Sequence, residues 1–151
     1  MKEFEVSIRD AHIHETATIV HPANIYECEI GENVFVGPFT EVQSDVTVGK
    51  NTRIQSHTFI CSHCDIGNDC FIGHGVMFVN DKFRGGERAH GNQERLERIT
   101  LGNNVLVGSG CVILPVKIVD NVTLGAGSVV TRDILEPGVY FGNPARKKDK
   151  I

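Results

Sequence analysis

Tryptophan is absent, and aromatic residues make up only 7% of the 151-residue chain. Val and Ile are abundant instead, a mix that favours many short strands joined by tight turns over a helical bundle. No apolar run approaches the roughly 18 residues of a membrane span. The opening segment, Met1 to Glu5, lacks the apolar core of a signal peptide. Positive charge is not in excess: the formal net charge is -4, which gives nucleic-acid binding no support. Five Cys is an odd number with no zinc-module spacing. Reduced thiols in a cytoplasmic protein are the simplest reading. The length suits one domain, residues 1–151.

Glycine, by contrast, is plentiful at 16 residues, above the usual share of about 7%. It sits within a repeat. An aliphatic residue recurs every six positions at Ile13, Ile19 and Ile25. After one step of five the series runs through Ile30, Val36, Val42, Val48, Ile54, Ile60, Ile66, Ile72 and Phe78. It resumes at Leu101, Val107, Ile113, Ile118, Leu124 and Val130, then Leu135 and Phe141, with some steps of five. Gly often follows, as at Gly31, Gly49, Gly67 and Gly102, and a small or β-branched residue lies four positions on, as at Val34, Thr52, Cys70 and Val105. Six residues make one strand and one turn, and three such units make a triangular coil of about 18. The aliphatic residue points into the prism with the small one beside it, and Gly and Asn suit the backbone angles of the corners. A period of six holds no single helix face.

This pattern, over about 130 residues, resembles the hexapeptide-repeat acyltransferases. The resemblance implies an all-β, left-handed parallel β-helix. Residues 124–133 (LGAGSVVTRD) and 138–146 (GVYFGNPAR) are very similar to that family's closing coil and tail, placed at 142–151 here, which helps hold coenzyme A. The period breaks at 81–98 (DKFRGGERAHGNQERLER), a charged excursion, and long loops in compact domains are usually functional or disordered. In the family such a loop reaches towards the cleft between subunits, and a homotrimer is expected.

Hexads 18 apart stack in adjacent coils. That arithmetic puts Ser56 beneath His74, His57 beneath Gly75 and Ser62 beneath Asn80, with Asp45, His63 and Asp81 in a column. The expectation is a cluster of His57, His63, His74, Asn80 and Asp81 beside the loop, side chains outward. Acyl transfer from a thioester needs a proton acceptor, an oxyanion site and alignment of both substrates. His74 is the first candidate as base or acceptor-orienting group, with Asn80 beside it, and His57, His63, Asp81 and Arg84 are candidates for substrate binding. His90 is a lesser one. Arg88, Arg95 and Arg98 alternate with Glu, so solvent-exposed ion pairs account for the loop arginines as well as phosphate binding does. For acetyl-CoA the family's corners, here Gly108, Ser109 and Gly127, offer backbone N–H groups to the pantetheine arm and thioester oxygen, and Asn143 belongs to the tail that helps hold the coenzyme. Arg146 and Lys147, in a basic tail with Lys148 and Lys150, are placed for its phosphates.

Residues 71–81 (FIGHGVMFVND) look like the nucleotide-sugar N-acetyltransferases that act on dTDP-3-amino-3,6-dideoxyhexoses. That resemblance implies an N-acetyltransferase of a nucleotide-linked amino sugar, in surface-glycan (lipopolysaccharide) synthesis, with no metal. Three other readings stay open: an O-acetyltransferase of a small hydroxyl, a γ-carbonic-anhydrase-like metalloprotein, whose His spacing is not reproduced, and a non-catalytic β-helix scaffold. Cys64, Cys70 and Cys111 fall on the small core position, where packing explains them.

Overall fold

Every strand in a six-residue repeat must turn after a few residues, and every third strand then lies over the first. The computed structural model, which describes residues 1–149, shows three sheets wrapped into a prism. Lys150 and Ile151 lie outside the described residues. Face I stacks seven parallel strands: Ile8–Arg9, Ala23–Tyr26, Thr40–Val42, Phe59–Ile60, Met77–Phe78, Val112–Ile113 and Val129–Val130. Face II stacks six, from His12–Ile13 to Lys117–Ile118. Face III stacks seven from Thr18–Ile19 to Gly138–Phe141, and Arg146–Lys148 folds back antiparallel on the last. The chain visits I, II and III in rotation.

The register is the coil length. Val36 pairs with Ile54 and Ile54 with Ile72, steps of 18, while Val107 pairs with Leu124, a step of 17. The inward aliphatic series forms one column, with Ile25, Val36, Val42, Ile54, Ile60, Ile72 and Phe78 fully buried. The small position four residues on is buried too in nearly every coil, and several of its polar members donate to corner carbonyls of the coil above. Thr52 Oγ1 meets Gly67 O at 2.9 Å, Thr58 Oγ1 meets Gly73 O at 3.0 Å, and Cys70 Sγ meets Gly102 O at 3.2 Å. A buried carbonyl without a donor is costly, which explains why Thr, Ser and Cys share this slot with Val.

Two sequence expectations are corrected. The glycines that follow the aliphatic residues are not the corner residues of unusual backbone angle. They are there for space: a Cβ on Gly73 would lie 2.7 Å from Ser109 N and 2.8 Å from Val107 O of the next coil. The left-handed residue comes two positions later, as Asn33, Asn51, Asn104 and Asn121 between faces II and III, and as Gly75, Gly110 and Gly127 between faces III and I. The last coil also closes one residue early. Ile134, not Leu135, pairs with Ile118, and Tyr140, not Phe141, pairs with Leu124. Steps of 16 there leave Leu135 and Phe141 exposed.

The excursion leaves face I after Met77–Phe78 and rejoins face II at Ile99–Leu101, so Ile72 pairs with Val107, a step of 35. It holds two short 3-10 turns, Arg84–Gly86 and Gln93–Arg95. The outer surfaces differ. Face II presents His12, Glu29, Thr47, Asp65, Thr100 and Lys117. The upper part of face I presents Phe59, Met77, Val112 and Val129, and face III adds Phe71 and Leu106. No helix among the described residues is long and apolar enough to cross a membrane.

Gly73→Ala drives a methyl into backbone that cannot yield, and is expected to cost about 3 kcal/mol. Gly75→Ala has open space and a positive φ to contend with, and is expected to cost about 1 kcal/mol. Urea unfolding of the two variants measures the difference.

Candidate active site

The structure divides the candidate residues between the two edges that bound face I. At the edge between faces III and I, His57 lies under Gly75 and Ser56 under His74, with Gly75 N donating to Ser56 O at 3.0 Å. One coil higher, Ser109 Oγ accepts the His74 amide at 3.2 Å and Gly110 N donates to His74 O at 2.9 Å. Higher still, Gly127 N donates to Ser109 O at 2.9 Å. His74, Ser109 and Gly127 are all exposed. A Cβ placed on Gly75, Gly110 or Gly127 would find nothing within 4 Å. Three missing side chains in a column thus leave an open slot along this edge, with the His74 imidazole at its lower end.

The amide donors on the slot sort themselves by the ladder. Gly108 N is taken by Leu124 O at 2.8 Å and Gly127 N by Ser109 O, so what these glycines give the edge is space. Among the described residues the amides of Ser109 and Ala126 have no acceptor, and both residues are exposed. Both belong to exposed residues of this edge, and fixed backbone donors of this kind can hold a developing oxyanion. The sequence singled out Ser109 but not Ala126, Gly75 or Gly110. Counting one register on from His74 would have found them.

The tail reaches the same edge. Gly142 N donates to Ser128 Oγ at 3.1 Å and Ala145 N to Val129 O at 2.8 Å, which sets Asn143 above Gly127. Arg146 is exposed, its guanidinium on its own neighbour's carbonyl, Ala145 O. Lys147 is paired with Glu136 at 2.9 Å, and that hydrogen bond holds its ammonium above the usual lysine range.

The edge between faces I and II carries the rest. Asn80 Nδ2 donates to Ser62 O at 2.7 Å and to its Oγ at 3.0 Å, as the 18-residue stacking requires. His63 Nδ1 meets Asp45 at 2.6 Å and its Nε2 meets Gln93 of the excursion at 2.9 Å. Arg98 closes the loop on Asp45 and, at 3.0 Å, on Asp65. Arg84 is paired with Glu97 at 2.9 Å, and Arg95 with Glu87 at 3.6 Å and with the carbonyls of Arg84 and Glu87. The loop arginines are therefore largely spent on holding the loop, and Arg84 is 61% exposed within its pair. Asp81 opens the loop, accepting from Ala89 N at 2.7 Å and Phe83 N at 2.9 Å. Asp81 does not join the stacked pair of Asp45 and His63, because it turns into the loop.

The expected single cluster is thus two: His57 and His74 on one edge, His63, Asn80 and Asp81 on the other, with the width of face I between them. The thiols take no part. All five Cys are buried and free, and desolvation raises the Cys28 thiol to about 11 and the Cys61 thiol to about 12. Among the described residues no three His, Cys, Asp or Glu side chains gather in a metal-holding group.

Known proteins share this architecture. Residues 27–62 match the family described as bacterial transferase hexapeptide (six repeats), and residues 98–132 match the hexapeptide repeat of succinyl-transferase. The bifunctional protein GlmU of Clostridium botulinum is 31% identical over 131 residues, covering 85% of this chain and 26% of that protein. The chain thus spans about a quarter of the length of the curated relatives it matches. A hexapeptide transferase family protein from Anaplasma phagocytophilum superposes with a TM-score of 0.76 at 27% identity, covering 91% of this chain and 77% of that one. A variant of AntD, an N-acyltransferase from Bacillus cereus solved with dTDP and coenzyme A, superposes with a TM-score of 0.69 at 22% identity, covering 93% and 80%.

The two amides on Asp81, Ala89 first, hold its carboxyl below the usual carboxylate range. A depressed folded value means that its hold on the loop is complete above the ordinary value of about 3.9 and is lost as pH falls through the lower one. Asp45 is held low chiefly by His63 and then by Arg98, so it acts in the same window. Hydrogen-exchange protection at the Phe83 and Ala89 amides is expected to persist at neutral pH and to fade below pH of about 4, while Ile72 stays protected. Asp81→Asn is expected to remove it at pH 7.

Proposed function

We propose, on the premise that the chain belongs to the hexapeptide-repeat transferase family, that it moves an acetyl group from acetyl-CoA to the amine of a nucleotide-linked amino sugar, with a dTDP-3-amino-3,6-dideoxyhexose as acceptor. The observation that carries this reading is the slot beside His74, open at Gly75, Gly110 and Gly127, with two unclaimed amide donors on it. The slot takes the pantetheine arm, and the exposed Arg146 and Asn143 above it meet the nucleotide end of the coenzyme. That AntD was solved with dTDP and coenzyme A supports the choice of a dTDP-linked acceptor.

The chemistry follows from the groups in place. The acceptor nitrogen attacks the thioester carbonyl carbon, and the carbonyl oxygen becomes an oxyanion. The amides of Ser109 and Ala126 donate to that charge from fixed positions. The C–S bond then breaks, and the sulfur leaves as a thiolate that takes up a proton. His74 accepts the proton of the acceptor nitrogen, or holds that nitrogen in line when it arrives neutral. The Asn80 amide nitrogen is committed to Ser62, so its Oδ1 is left to accept from the amine.

His74 and Asn80 meet only if a second copy brings its excursion to the slot of the first. A homotrimer does this, burying the apolar outer parts of faces I and III and leaving polar face II to water. The partner's loop edge then supplies His63, Asp81 and Arg84 to the acceptor, and His57 lies beneath it. A cytoplasmic setting and a role in surface-glycan synthesis go with the reading.

Thiol release from acetyl-CoA tests it, with little background because the five Cys are buried. Release is expected with the dTDP-3-amino sugar. His74→Ala is expected to lower kcat by about a hundredfold or more if His74 is the base. Release with no nucleotide-linked amino sugar, despite acetyl-CoA binding, overturns the acceptor assignment, and light scattering that shows a monomer overturns the shared site.

A further inference from the structure

The edge between faces III and I changes character partway up. Its left-handed corner residue is glycine in three upper coils, but below them it is His57 (φ 62) and then Phe39 (φ 59). The left-handed region crowds the Cβ of an L-residue, and a bulky aromatic side chain is unusual there. The next edge meets the same demand with Asn33, Asn51, Asp69, Asn104 and Asn121. Phe39 is also 59% exposed, so burial returns little of its cost. His57 stacks on it, ring centroids 4.9 Å apart at 28°. A strained and exposed ring is not explained by packing and points to use at the surface.

Its place in the ladder suggests that use. His57 N donates to Pro38 O at 3.1 Å and Gly75 N to Ser56 O at 3.0 Å, so the stacked pair is the direct continuation of the open slot, one and two coils below His74. Phe39 also borders a depression of about 190 Å³, with Pro22, Asn24 and Glu41 on its walls. The coenzyme's arm lies above His74, so what meets the pair is the acceptor. We propose that Phe39, backed by His57, is the platform on which the acceptor lays a flat apolar face, nucleobase or sugar ring, setting its amine at the height of His74. This rests on the acyl-transfer reading and adds to it a specificity-determining residue, Phe39.

The chain has no tryptophan, so Phe39→Trp puts a sole indole, excited selectively beyond the two tyrosines, on the platform. Titration with the dTDP-3-amino sugar is expected to change the new indole's emission. The same change with dTDP alone assigns the platform to the base, and with the free amino sugar, to the sugar. Coenzyme A is expected to leave it unchanged. Phe39→Asn, which suits the left-handed corner, is expected to keep or raise the melting temperature and to raise the acceptor KM about tenfold with the acetyl-CoA KM unchanged. An unchanged acceptor KM, an emission change with coenzyme A alone, or a fall to monomers in Phe39→Asn overturns the platform. Calorimetry of wild-type protein with acetyl-CoA separates the two claims: binding there with no response at the indole sinks the platform alone, and no binding sinks the acyl-transfer reading.

Discussion

Backbone lies directly on backbone in this protein, one coil on the next, and the rest of the structure depends on that contact. Where the chain turns from one face to another, successive coils approach so closely that a methyl group would strike the amide or carbonyl above, as at Gly37 and Gly73. The contact holds the coil length at 17 or 18 residues through most of the prism, which keeps the inward aliphatic residue on its column. It also fixes what may occupy the neighbouring slot: a residue small enough to fit and, where polar, able to donate to the corner carbonyl, as Thr52, Thr58 and Cys70 do. Each coil is held by ladder hydrogen bonds above and below, so stability is a sum over neighbours and no separate domain core is needed.

The same stacking makes the candidate site. A ladder that repeats with little change presents its corner residues in straight columns, and a column of glycines is a slot. Regularity uses up most amide donors, which is why the exposed ones left over near His74, at Ser109 and Ala126, matter more than the many glycines around them. The charged excursion is held differently, by side chains: Asp81 at its start, Arg98 and the His63–Gln93 bond near its end. It is therefore the part whose order depends on protonation. It is set on the far edge of face I from His74, and the apolar outer surface of face I lies between the two edges.

Much of this was legible in the sequence because the repeat is local. The column of core residues, the small slot, the pairing of Ser62 with Asn80 and the seat of His57 under Gly75 all follow from counting in eighteens. What was not legible breaks the count or does not depend on it. Ile134 and Tyr140 take the places expected of Leu135 and Phe141 because the last coil is shorter, and nothing in a run of aliphatic residues marks the missing one. The reason for the corner glycines was misplaced, since proximity and backbone angle both select glycine and only coordinates tell them apart. The ion pairs of Arg84, Arg95 and Arg98 join residues of an aperiodic segment, where spacing says nothing about partners. Counting one coil further down would have set Phe39 under His57.

The central claim is that one site takes His74 from one copy and Asn80 from another. Mixing subunits tests it most directly. His74→Ala and Asn80→Ala proteins, each expected to be inactive alone, are unfolded together and refolded as random trimers. If the site is shared, one interface in four joins an intact His74 to an intact Asn80, and about a quarter of wild-type activity returns. If activity stays at the level of the separate variants while mixed trimers form, both residues serve the same copy and the account of a site between subunits is wrong.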